Sequence, residues 1–581
     1  MKIHLHQTSQ QIADFDSIFE YLYQAMEKKE DGLHLFPELF LTGYPLKDLC
    51  FQKPFITSYL TLLAKIGQIS SKMKKREDEC YLLGGLHYTF SKEEGSHPFQ
   101  IQNVIFQLIP GEELTVIYSK TVLPNYDIFD EKKYFTPGDS PKIIGFAGHH
   151  IGLTICEDIW PHSSHHYRPD CELKKLMDSS GIKLDLVINL SASPFTLNKH
   201  LMRTERVEQL SLYLKAPVAY VNRVGGEDEI LFDGHSFVYN GKEITHQLAL
   251  FQPDTCTFEL AAIKSEFSKK DAPMPAIEDE VDLSQTLSVL NSSAPTLKEL
   301  SERNCHDITL ALTFALREYA DKCGFKSFLV ALSGGLDSAL VLTIAKMALR
   351  PGEHLEAIFM PGVYSSGLSS DLSEELCTNL SIPLTRLPIK FLHSVTRNVM
   401  KECYSEELVG IADENVQSRL RSMLLYTRSN TSNAMVINTS NKSELAVGYS
   451  TQYGDSVGAL SLLGDLYKSE IFDLSRYINQ KYQNIIPPAI IERPPTAELR
   501  DGQQDDHSLL PYPKLDAILE GILSDHLDLN NFDKFGFNHD EVEMVLKLFK
   551  RSEYKRFQFC PIVKLKSKSF GFGHRVPITS F

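Results

Sequence analysis

Residues 326–338 read KSFLVALSGGLDS, and this stretch decides the fold of the second half of the chain. After its first two residues, the run FLVAL is typical of a strand buried in a parallel sheet. Residues 339–349, ALVLTIAKMAL, have the composition of a buried helix, and residues 356–361, EAIFMP, predict the next strand. A strand, a glycine-rich turn, a helix and a second strand together predict a doubly wound parallel sheet.

The turn at residues 333–338, SGGLDS, has the features of a phosphate site. Its two glycines allow a tight turn and the close approach of an anion, and the following helix presents free N–H groups. Asp337 would repel a phosphate unless Mg²⁺ lies between them. The turn lacks the G-K-[ST] sequence of the common NTP-binding loop. A glycine-rich turn without a ligand is the alternative interpretation.

This motif resembles that of the ATP pyrophosphatase superfamily, whose members cleave ATP between the α and β phosphates and adenylate a substrate oxygen. Residues 438–458, NTSNKSELAVGYSTQYGDSVG, narrow the resemblance to the NAD synthetase family. Residues 360–371, MPGVYSSGLSSD, and residues 417–421, QSRLR, also match elements of that family, with Ser418 in place of the usual alanine. The resemblance implies a Rossmann-like domain of the adenine nucleotide alpha hydrolase type. It also implies ATP as co-substrate, Mg²⁺ as cofactor and deamido-NAD⁺ as acceptor.

The same resemblance assigns roles to residues of the second half. It implies an ATP site made of Ser333, Gly334, Gly335, Leu336, Asp337, Ser338, Thr439 and Thr451. It implies a deamido-NAD⁺ site made of Asn415, Arg419, Arg421, Glu444, Asp455 and Lys468, and it makes Asp337 and Glu444 the two metal ligands. Two arginines at positions i and i+2 suit phosphate recognition, although such residues taken alone are more often surface charges.

The first half alternates predicted strands and helices. Short apolar runs bounded by turn signals predict strands at residues 81–88, 102–109, 151–156, 184–190 and 216–222. The segments 15–28 and 199–215 are predicted to be helical. Strands that alternate with helices indicate an α/β layered domain.

Three separate residues of the first half carry a second resemblance. Glu38 lies in LFPELFLTGYP, Lys120 in YSKTVLPNYDIFDEKKYF and Cys156 in LTICEDIWP. Each alone would more often be structural or solvated. In this order and in these contexts they resemble the Glu-Lys-Cys triad of the nitrilase (carbon–nitrogen hydrolase) superfamily, over residues 1–265. The resemblance implies an αββα sandwich fold.

The triad chemistry follows from the residue types. Cys156 attacks an amide as the thiolate, Glu38 moves the proton, and Lys120 stabilises the oxyanion. Glu131 matches a further glutamate of the family that orients the site, and a plain surface ion pair is an equal alternative. The amidase domains of glutamine-dependent NAD synthetases are the nearest match, which implies a glutamine site made of Tyr126, Phe129, Glu157, Ser193 and Lys199.

One segment departs from the family pattern. Residues 222–237, NRVGGEDEILFDGHSF, resemble the family's NQVGGQDELVFDG. Arg223 and Glu227 stand where the family has two glutamines. The departure puts local contacts in doubt but leaves the triad intact.

Residues 266–296 are rich in Pro, Ser and charge and predict a linker. It separates a glutaminase domain at residues 1–265 from a synthetase domain at residues 297–581. Residues 493–513 are polar and Pro-rich, and we expect either a mobile lid or a disordered connection there.

Composition excludes several classes of protein. The chain has 581 residues, 43% of them hydrophobic, and a formal net charge of −16. These values exclude wholesale disorder and a coiled-coil rod, and the negative charge argues against a general nucleic-acid binder. No apolar run is long enough for a membrane span. Ten scattered cysteines without a CxxC pair, and no signal-peptide pattern, indicate a reducing cytoplasm.

Two other functions compete with a glutamine-dependent NAD synthetase. One is a GMP- or asparagine-type amidotransferase, which shares SGGxDS but carries a different glutaminase fold. The other is a chain in which only one half is active and the other half serves as a binding module. The family resemblance also leads us to expect a homo-oligomer and small-molecule substrates, with no nucleic-acid or membrane partner.

Overall fold

The structure is a computed structural model that describes residues 1–90, 98–160, 167–263, 267, 297–503, 509–527 and 529–579. It contains two compact units that divide in the chain between Val281 and Asp282, with Asp228–Ile230 grouped with the second unit. The predicted linker at residues 266–296 falls outside the described residues except for Phe267, so the domain boundaries stay a prediction.

The first unit is built mainly of strands. They are β1 (Lys2–Gln7), β2 (Gly32–Leu35), β3 (Glu79–Phe90), β4 (Pro98–Leu108), β5 (Thr115–Ser119), β6 (Lys142–Phe146), β7 (His149–Ile155), β8 (Leu186–Ser191), β9 (Val218–Asn222), β10 (Val224–Glu227), β11 (Ile230–Asp233), β12 (Phe237–Tyr239), β13 (Ile244–Gln247) and β14 (Asp254–Glu259). The helices are α1 (Phe15–Glu27), α2 (Lys53–Lys72), α3 (Glu131–Tyr134), α4 (Pro169–Ser180) and α5 (Lys199–Leu214), with 3₁₀ turns at Lys47–Phe51, Cys156–Ile159 and Leu260–Ala262.

Twelve of these strands form two six-stranded sheets that pack face to face, and β10 and β11 form a separate two-stranded sheet. The orders of the six-stranded sheets are β14-β1-β2-β3-β4-β5 and β13-β12-β9-β8-β7-β6. One buried cluster joins Leu5 and Leu82 of the first sheet to Leu153 and Ile188 of the second. Alternate residues of a strand point to opposite faces, so the outer faces are left for helices to cover.

Helices cover both outer faces of the sandwich. Tyr21 of α1 packs its ring against Phe36, next to β2. On the other side Leu210 of α5 shares a buried cluster with Val187 of β8 and Val218 of β9. The layers therefore run helix, sheet, sheet, helix, and the expected αββα sandwich is confirmed.

The second unit contains a five-stranded sheet. Its strands are β15 (Ser327–Leu332), β16 (His354–Phe359), β17 (Leu384–Arg386), β18 (Met435–Asn438) and β19 (Leu460–Ser461). Its helices are α6 (Glu302–Cys323), α7 (Leu336–Ala348), α8 (Gly367–Leu380), α9 (Lys390–Tyr404), α10 (Gly410–Ser432), α11 (Lys442–Val447), α12 (Lys468–Lys481), α13 (Pro488–Glu492), α14 (Tyr512–Leu523), α15 (Leu529–Lys534), α16 (His539–Arg551) and α17 (Glu553–Phe557).

All four strand pairs of this sheet are parallel, and the strand order is β17-β16-β15-β18-β19. The predicted doubly wound parallel sheet is confirmed. The chain reverses its winding direction between β15 and β18, and ligands of such sheets bind outside the carboxyl ends of the strands at that point. The SGGLDS turn lies there, directly after β15. Among the described residues, no helix is long and apolar enough to cross a membrane.

Candidate active sites

Strand ends position the three predicted triad residues of the first unit. Lys120 directly follows β5, Cys156 directly follows β7, and Glu38 lies three residues after β2. All three side chains are buried. The Lys120 ammonium donates to Glu38 Oε1 at 2.7 Å, which joins two of the predicted triad members directly.

Lys120 is held between two carboxylates. Its ammonium also donates to both carboxylate oxygens of Glu131, at 2.8 and 3.0 Å. Glu131 is buried, and it accepts a further hydrogen bond from the Tyr44 hydroxyl at 2.9 Å. Its partners are Lys120 and Tyr44 inside the site, so it is not a surface ion-pair residue. Despite the cost of burial, Glu131 and Glu38 raise the pKa of Lys120 well above its usual value.

The Glu38 carboxylate is fixed from two more directions. The Asn103 side-chain amide donates to Oε1 at 2.7 Å, and the backbone N–H of Ala192 donates to Oε2 at 2.8 Å. With Lys120, these three donors orient a carboxylate that could otherwise rotate. Such a carboxylate is suited to moving a proton to and from a neighbouring group.

Cys156 lies at a strained turn of the backbone. Its φ is +41°, in the left-handed region that residues with a Cβ rarely adopt. Burial raises the pKa of its thiol well above the usual value, the negative charge of Glu38 adds to this, and Lys120 opposes it. The Cys156 thiol is therefore protonated at neutral pH, so it needs a base to remove its proton before it can attack.

A buried aspartate, Asp158, ties the cysteine turn to the lysine segment. Its carboxylate accepts hydrogen bonds from the backbone N–H groups of Thr121 and Val122 at 3.1 and 2.9 Å. It also accepts from the Ile155 N–H at 2.9 Å and the Tyr118 hydroxyl at 2.8 Å. Asp158 was not predicted from the sequence, although its place two residues after Cys156 was the available signal.

Polar residues of the predicted glutamine site lie around the triad. The Tyr126 hydroxyl contacts both oxygens of Glu157 at 3.0 Å, and Phe129 packs edge-on against the Tyr126 ring. Burial, together with nearby Arg203, lowers the pKa of Lys199 to about 8. Among the residues that the structure describes, nothing forms a hydrogen bond or ion pair with the Lys199 ammonium.

Arg203 supports the predicted ligand residue Ser193. It donates to the Ser193 hydroxyl at 3.2 Å and to the Ser193 carbonyl at 2.9 Å. The same guanidinium contacts both oxygens of Asp233 at 2.8 Å. This buried pair was also missed. Thirty residues separate its members, and although Asp233 lies in the 222–237 segment, nothing there points to Arg203 as its partner.

The two residues that depart from the family pattern pair with each other. Arg223 donates to Glu227 Oε1 at 3.0 Å. It also donates to the carbonyl oxygens of Tyr44 and Gln10. In place of two glutamines, the chain has an internal ion pair that neutralises both charges.

A cavity of about 270 Å³ lies at the carboxyl ends of β15 and β18 in the second unit. It is the place where a doubly wound sheet binds its ligand. Most of the predicted nucleotide and acceptor residues line it, namely Ser333, Gly335, Leu336, Asp337, Ser338, Arg421, Thr439, Glu444, Asp455 and Lys468.

Four predicted residues are not part of this lining. Gly334 lies beneath it with φ +79°, and a Cβ there would meet the Ser369 carbonyl at 2.7 Å. The Thr451 hydroxyl donates to Asn415 at 2.7 Å, and the Thr451 N–H donates to Asp455. Arg419 is exposed and donates to the Gln452 carbonyl. Their ligand contacts stay predictions.

The two predicted metal ligands both line the cavity, and Asn441 contacts each of them. The Asn441 side-chain amide donates to Asp337 Oδ1 at 3.3 Å, and its side-chain oxygen accepts from the Glu444 N–H at 2.9 Å. Lys468 forms an ion pair with the other oxygen of Asp337. In the described part of the chain there is no cluster of three or more metal-ligating side chains. The Asp337 and Glu444 carboxylates are nevertheless ligands of the kind that Mg²⁺ prefers, and they would hold the ion together with substrate phosphates.

Part of the predicted lid lines the same cavity. Residues 493–499 contribute to the lining, whereas residues 504–508 lie outside the described residues. The Glu498 carboxylate accepts hydrogen bonds from the hydroxyls of Ser366 and Ser369, each at 2.7 Å, and pairs with Arg493. These contacts fasten the segment to the first turn of α8.

Comparison with known proteins matches a different family to each half of the chain. The profile of the family described as Carbon-nitrogen hydrolase matches residues 4–259, and that of NAD synthase matches residues 308–558. A glutamine-dependent NAD(+) synthetase from Synechocystis is 33% identical over 96% of this chain and 93% of its own length. One from Thermotoga maritima is 32% identical over 100% of this chain and 98% of its own.

The chain belongs to the glutamine-dependent NAD⁺ synthetase family. A solved structure of such a synthetase from Acinetobacter baumannii, in complex with adenosine diphosphate, is 31% identical to this chain. The superposed region covers 99% of this chain and 98% of the chain in that structure, with a TM-score of 0.70. Membership of this family sets aside the GMP- and asparagine-type alternatives, because both halves of the chain match.

Proposed function

We propose that the protein is a ligase that converts deamido-NAD⁺, ATP and glutamine into NAD⁺, AMP, pyrophosphate and glutamate. The observation that carries the proposal is the pairing of two sites in one chain. One is the buried Glu38–Lys120 pair beside Cys156, and the other is the cavity at the SGGLDS turn. The adenosine diphosphate complex of the Acinetobacter baumannii relative supports an adenine nucleotide in that cavity.

The first unit hydrolyses glutamine in two stages. Glu38 takes the Cys156 thiol proton, and the thiolate attacks the side-chain amide carbon to give a tetrahedral oxyanion, which Lys120 and a backbone N–H stabilise. The intermediate expels ammonia with the proton that Glu38 returns. Glu38 then deprotonates a water molecule, which attacks the thioester and releases glutamate and the free thiol.

Charged groups next to the triad recognise the amino-acid end of glutamine. The Lys199 ammonium, which has no ion-pair partner in the described residues, donates to the substrate carboxylate. Glu157, with the Tyr126 hydroxyl beside it, binds the substrate ammonium. Ser193 and Phe129 complete the site by hydrogen bonding and by packing. A zwitterion is thereby matched with one group of each charge.

The second unit activates the acceptor. The nicotinate carboxylate of deamido-NAD⁺ attacks the α-phosphorus of ATP, pyrophosphate leaves, and ammonia then displaces AMP from the acyl adenylate. Lys468, Arg421 and the N-terminus of α7 stabilise the phosphate charge. Asp337 and Glu444 would hold Mg²⁺, which supplies charge neutralisation between the phosphates when it is bound.

The surroundings of the two sites suit this sequence of reactions. Ammonia released into water at neutral pH would be almost entirely protonated and non-nucleophilic, so we propose that it passes between the sites inside the protein.

All ten cysteines are free thiols, which supports a reducing cytoplasm. Exposed apolar side chains on and after α9 support a homo-oligomer, and they include Phe391, Val395, Val399, Tyr404 and Ile411.

The test compares two nitrogen sources. Purified protein receives deamido-NAD⁺, ATP and Mg²⁺ with either glutamine or ammonium, and NAD⁺ is measured. We expect Cys156→Ala to lower glutamine-dependent synthesis at least about 10³-fold and to leave ammonium-dependent synthesis intact. Cys171→Ala, which removes a thiol outside the site, is the matched control. If the wild type makes no NAD⁺ from either source, the acceptor assignment is wrong.

A further inference from the structure

Asp516 is a fully buried carboxylate of the second unit, and it is not among the residues that line the nucleotide cavity. It lies on α14, the helix that follows the predicted lid. Its Oδ1 accepts a hydrogen bond from the Ser443 hydroxyl at 2.5 Å. Its Oδ2 accepts from the Ser469 N–H at 2.9 Å and from the Ser469 hydroxyl at 2.7 Å. Both oxygens are therefore satisfied by donors from other helices.

Each serine is the sequence neighbour of a residue that lines the nucleotide cavity. Ser443 precedes Glu444 in α11, and Ser469 follows Lys468 in α12. The Ser443 hydroxyl, while donating to Asp516, accepts a hydrogen bond from the backbone N–H of Lys468 at 2.9 Å. The first turns of two helices and the middle of a third thus meet at one carboxylate.

The position of this carboxylate distinguishes it from an ordinary helix cap. Its interior place in α14 means that it does not cap its own helix. Burial of an ionised group is costly unless donors compensate, and burial raises the pKa of Asp516 to about 6. The three hydrogen bonds link the helix turns that carry Glu444 and Lys468, two oppositely charged residues of the cavity lining.

We propose that Asp516 is a positioning residue of the synthetase site, which sets the distance between Glu444 and Lys468 through Ser443 and Ser469. It touches neither substrate nor metal itself. The inference deepens the proposed function and rests on it.

The experiment measures ATP affinity separately from turnover. Asp516→Asn removes the negative charge, and Nδ2 then faces the Ser443 hydroxyl, which has to accept instead of donate. The charge-assisted hydrogen bonds therefore become weaker neutral ones. We expect the KM for ATP, and the dissociation constant for its α,β-methylene analogue with Mg²⁺, to rise roughly tenfold to a hundredfold, as for a hydrogen bond to a charged group. Glutamate release from glutamine without ATP should stay at the wild-type rate.

Two kinds of variant separate positioning from stability. Asp465→Asn alters another buried aspartate of this unit, whose partners Lys442, Leu565 and Lys566 do not line the cavity. It should lower the unfolding midpoint in urea without raising the KM for ATP. If Asp516→Asn folds poorly, Ser443→Ala and Ser469→Ala each remove one hydroxyl that donates to Asp516. Each should raise the KM for ATP by less than Asp516→Asn is expected to raise it.

The outcomes are distinct. An unchanged affinity in Asp516→Asn, or an equal rise in Asp465→Asn, overturns the inference while the wild type still makes NAD⁺. Additive effects of Ser443→Ala and Asp516→Asn would also overturn it, because members of one hydrogen-bonded unit are not additive. Absence of NAD⁺ formation by the wild type overturns the proposed function instead.

Discussion

The two sites of this protein hold their charges in different ways. In the first unit Lys120 is enclosed between Glu38 and Glu131, and all three side chains are buried. In the second unit Asp337 and Lys468 pair at the wall of an open cavity. The first network is complete within the protein. The second borders a cavity in which the proposed phosphates and Mg²⁺ would bind.

This difference matches what each reaction needs. Amide hydrolysis by a thiolate requires one proton to move between fixed groups, so preorganised charges serve it. Adenylyl transfer from ATP brings several negative charges with the substrate, and in the proposed mechanism Asp337 and Lys468 separate to bind Mg²⁺ and phosphate respectively. Variants of the first site should therefore lower the use of glutamine, and variants of the second site should lower NAD⁺ formation from either nitrogen source.

The largest effect is expected for Asp337→Asn. The variant removes a proposed metal ligand and the ion-pair partner of Lys468. NAD⁺ formation from either nitrogen source should fall roughly 10³-fold, because the metal contributes several kcal/mol of charge stabilisation. Glutamate release without ATP should persist, and Asp371→Asn on the exposed side of α8 serves as control. Loss of glutamate release as well would contradict the separation of the two sites.

A smaller effect is expected for Glu131→Gln. It leaves Lys120 with Glu38 as its remaining carboxylate and breaks a buried ion pair, which costs about 3–5 kcal/mol. Thermal unfolding should show a less stable first unit, and glutamine-dependent synthesis should fall while ammonium-dependent synthesis at low temperature is kept. The exposed Glu113→Gln should change neither measurement. An unaltered use of glutamine would mean that Glu131 has no part in orienting Lys120.

The smallest effect is a pH dependence confined to the stability of the first unit. His6 and His34 are buried and in contact, with ring nitrogens 3.1 Å apart. Burial lowers the pKa of His34 to about 4 and that of His6 well below its usual value. The unfolded chain therefore binds more protons below its histidine pKa, and stability is lost as the pH falls from about 6.5 toward 4.

Each of these histidines should contribute at most about 1.4 kcal/mol per pH unit across that window. Urea unfolding of the wild type and of His34→Gln at pH 7.5 and pH 5 measures the slope, which should be shallower in the variant. Equal slopes would show that other groups govern acid stability.

The sequence predicted the strands and the turns that carry the chemistry, because both depend on local patterns. Cys156 and Ser333 each follow a run of buried apolar residues, and the structure has each directly after a strand. The lining of the second cavity by Asp337, Glu444 and Lys468 was likewise expected from short motifs.

Residues that act through distant partners were missed. Asp158 meets the segment after Lys120, and Arg203 meets Asp233, through contacts that depend on how separate strands and helices come together. Asp516 lies 73 residues from Ser443 in sequence. No local pattern distinguishes such an aspartate from a solvated one, so these supporting groups needed the three-dimensional fold.

The positive φ of Cys156 has a consequence for heat resistance. A residue with a Cβ in the left-handed region costs on the order of 1–2 kcal/mol relative to glycine. A glycine would avoid this backbone cost, so the first unit keeps its nucleophile at position 156 in spite of a local loss of thermal stability.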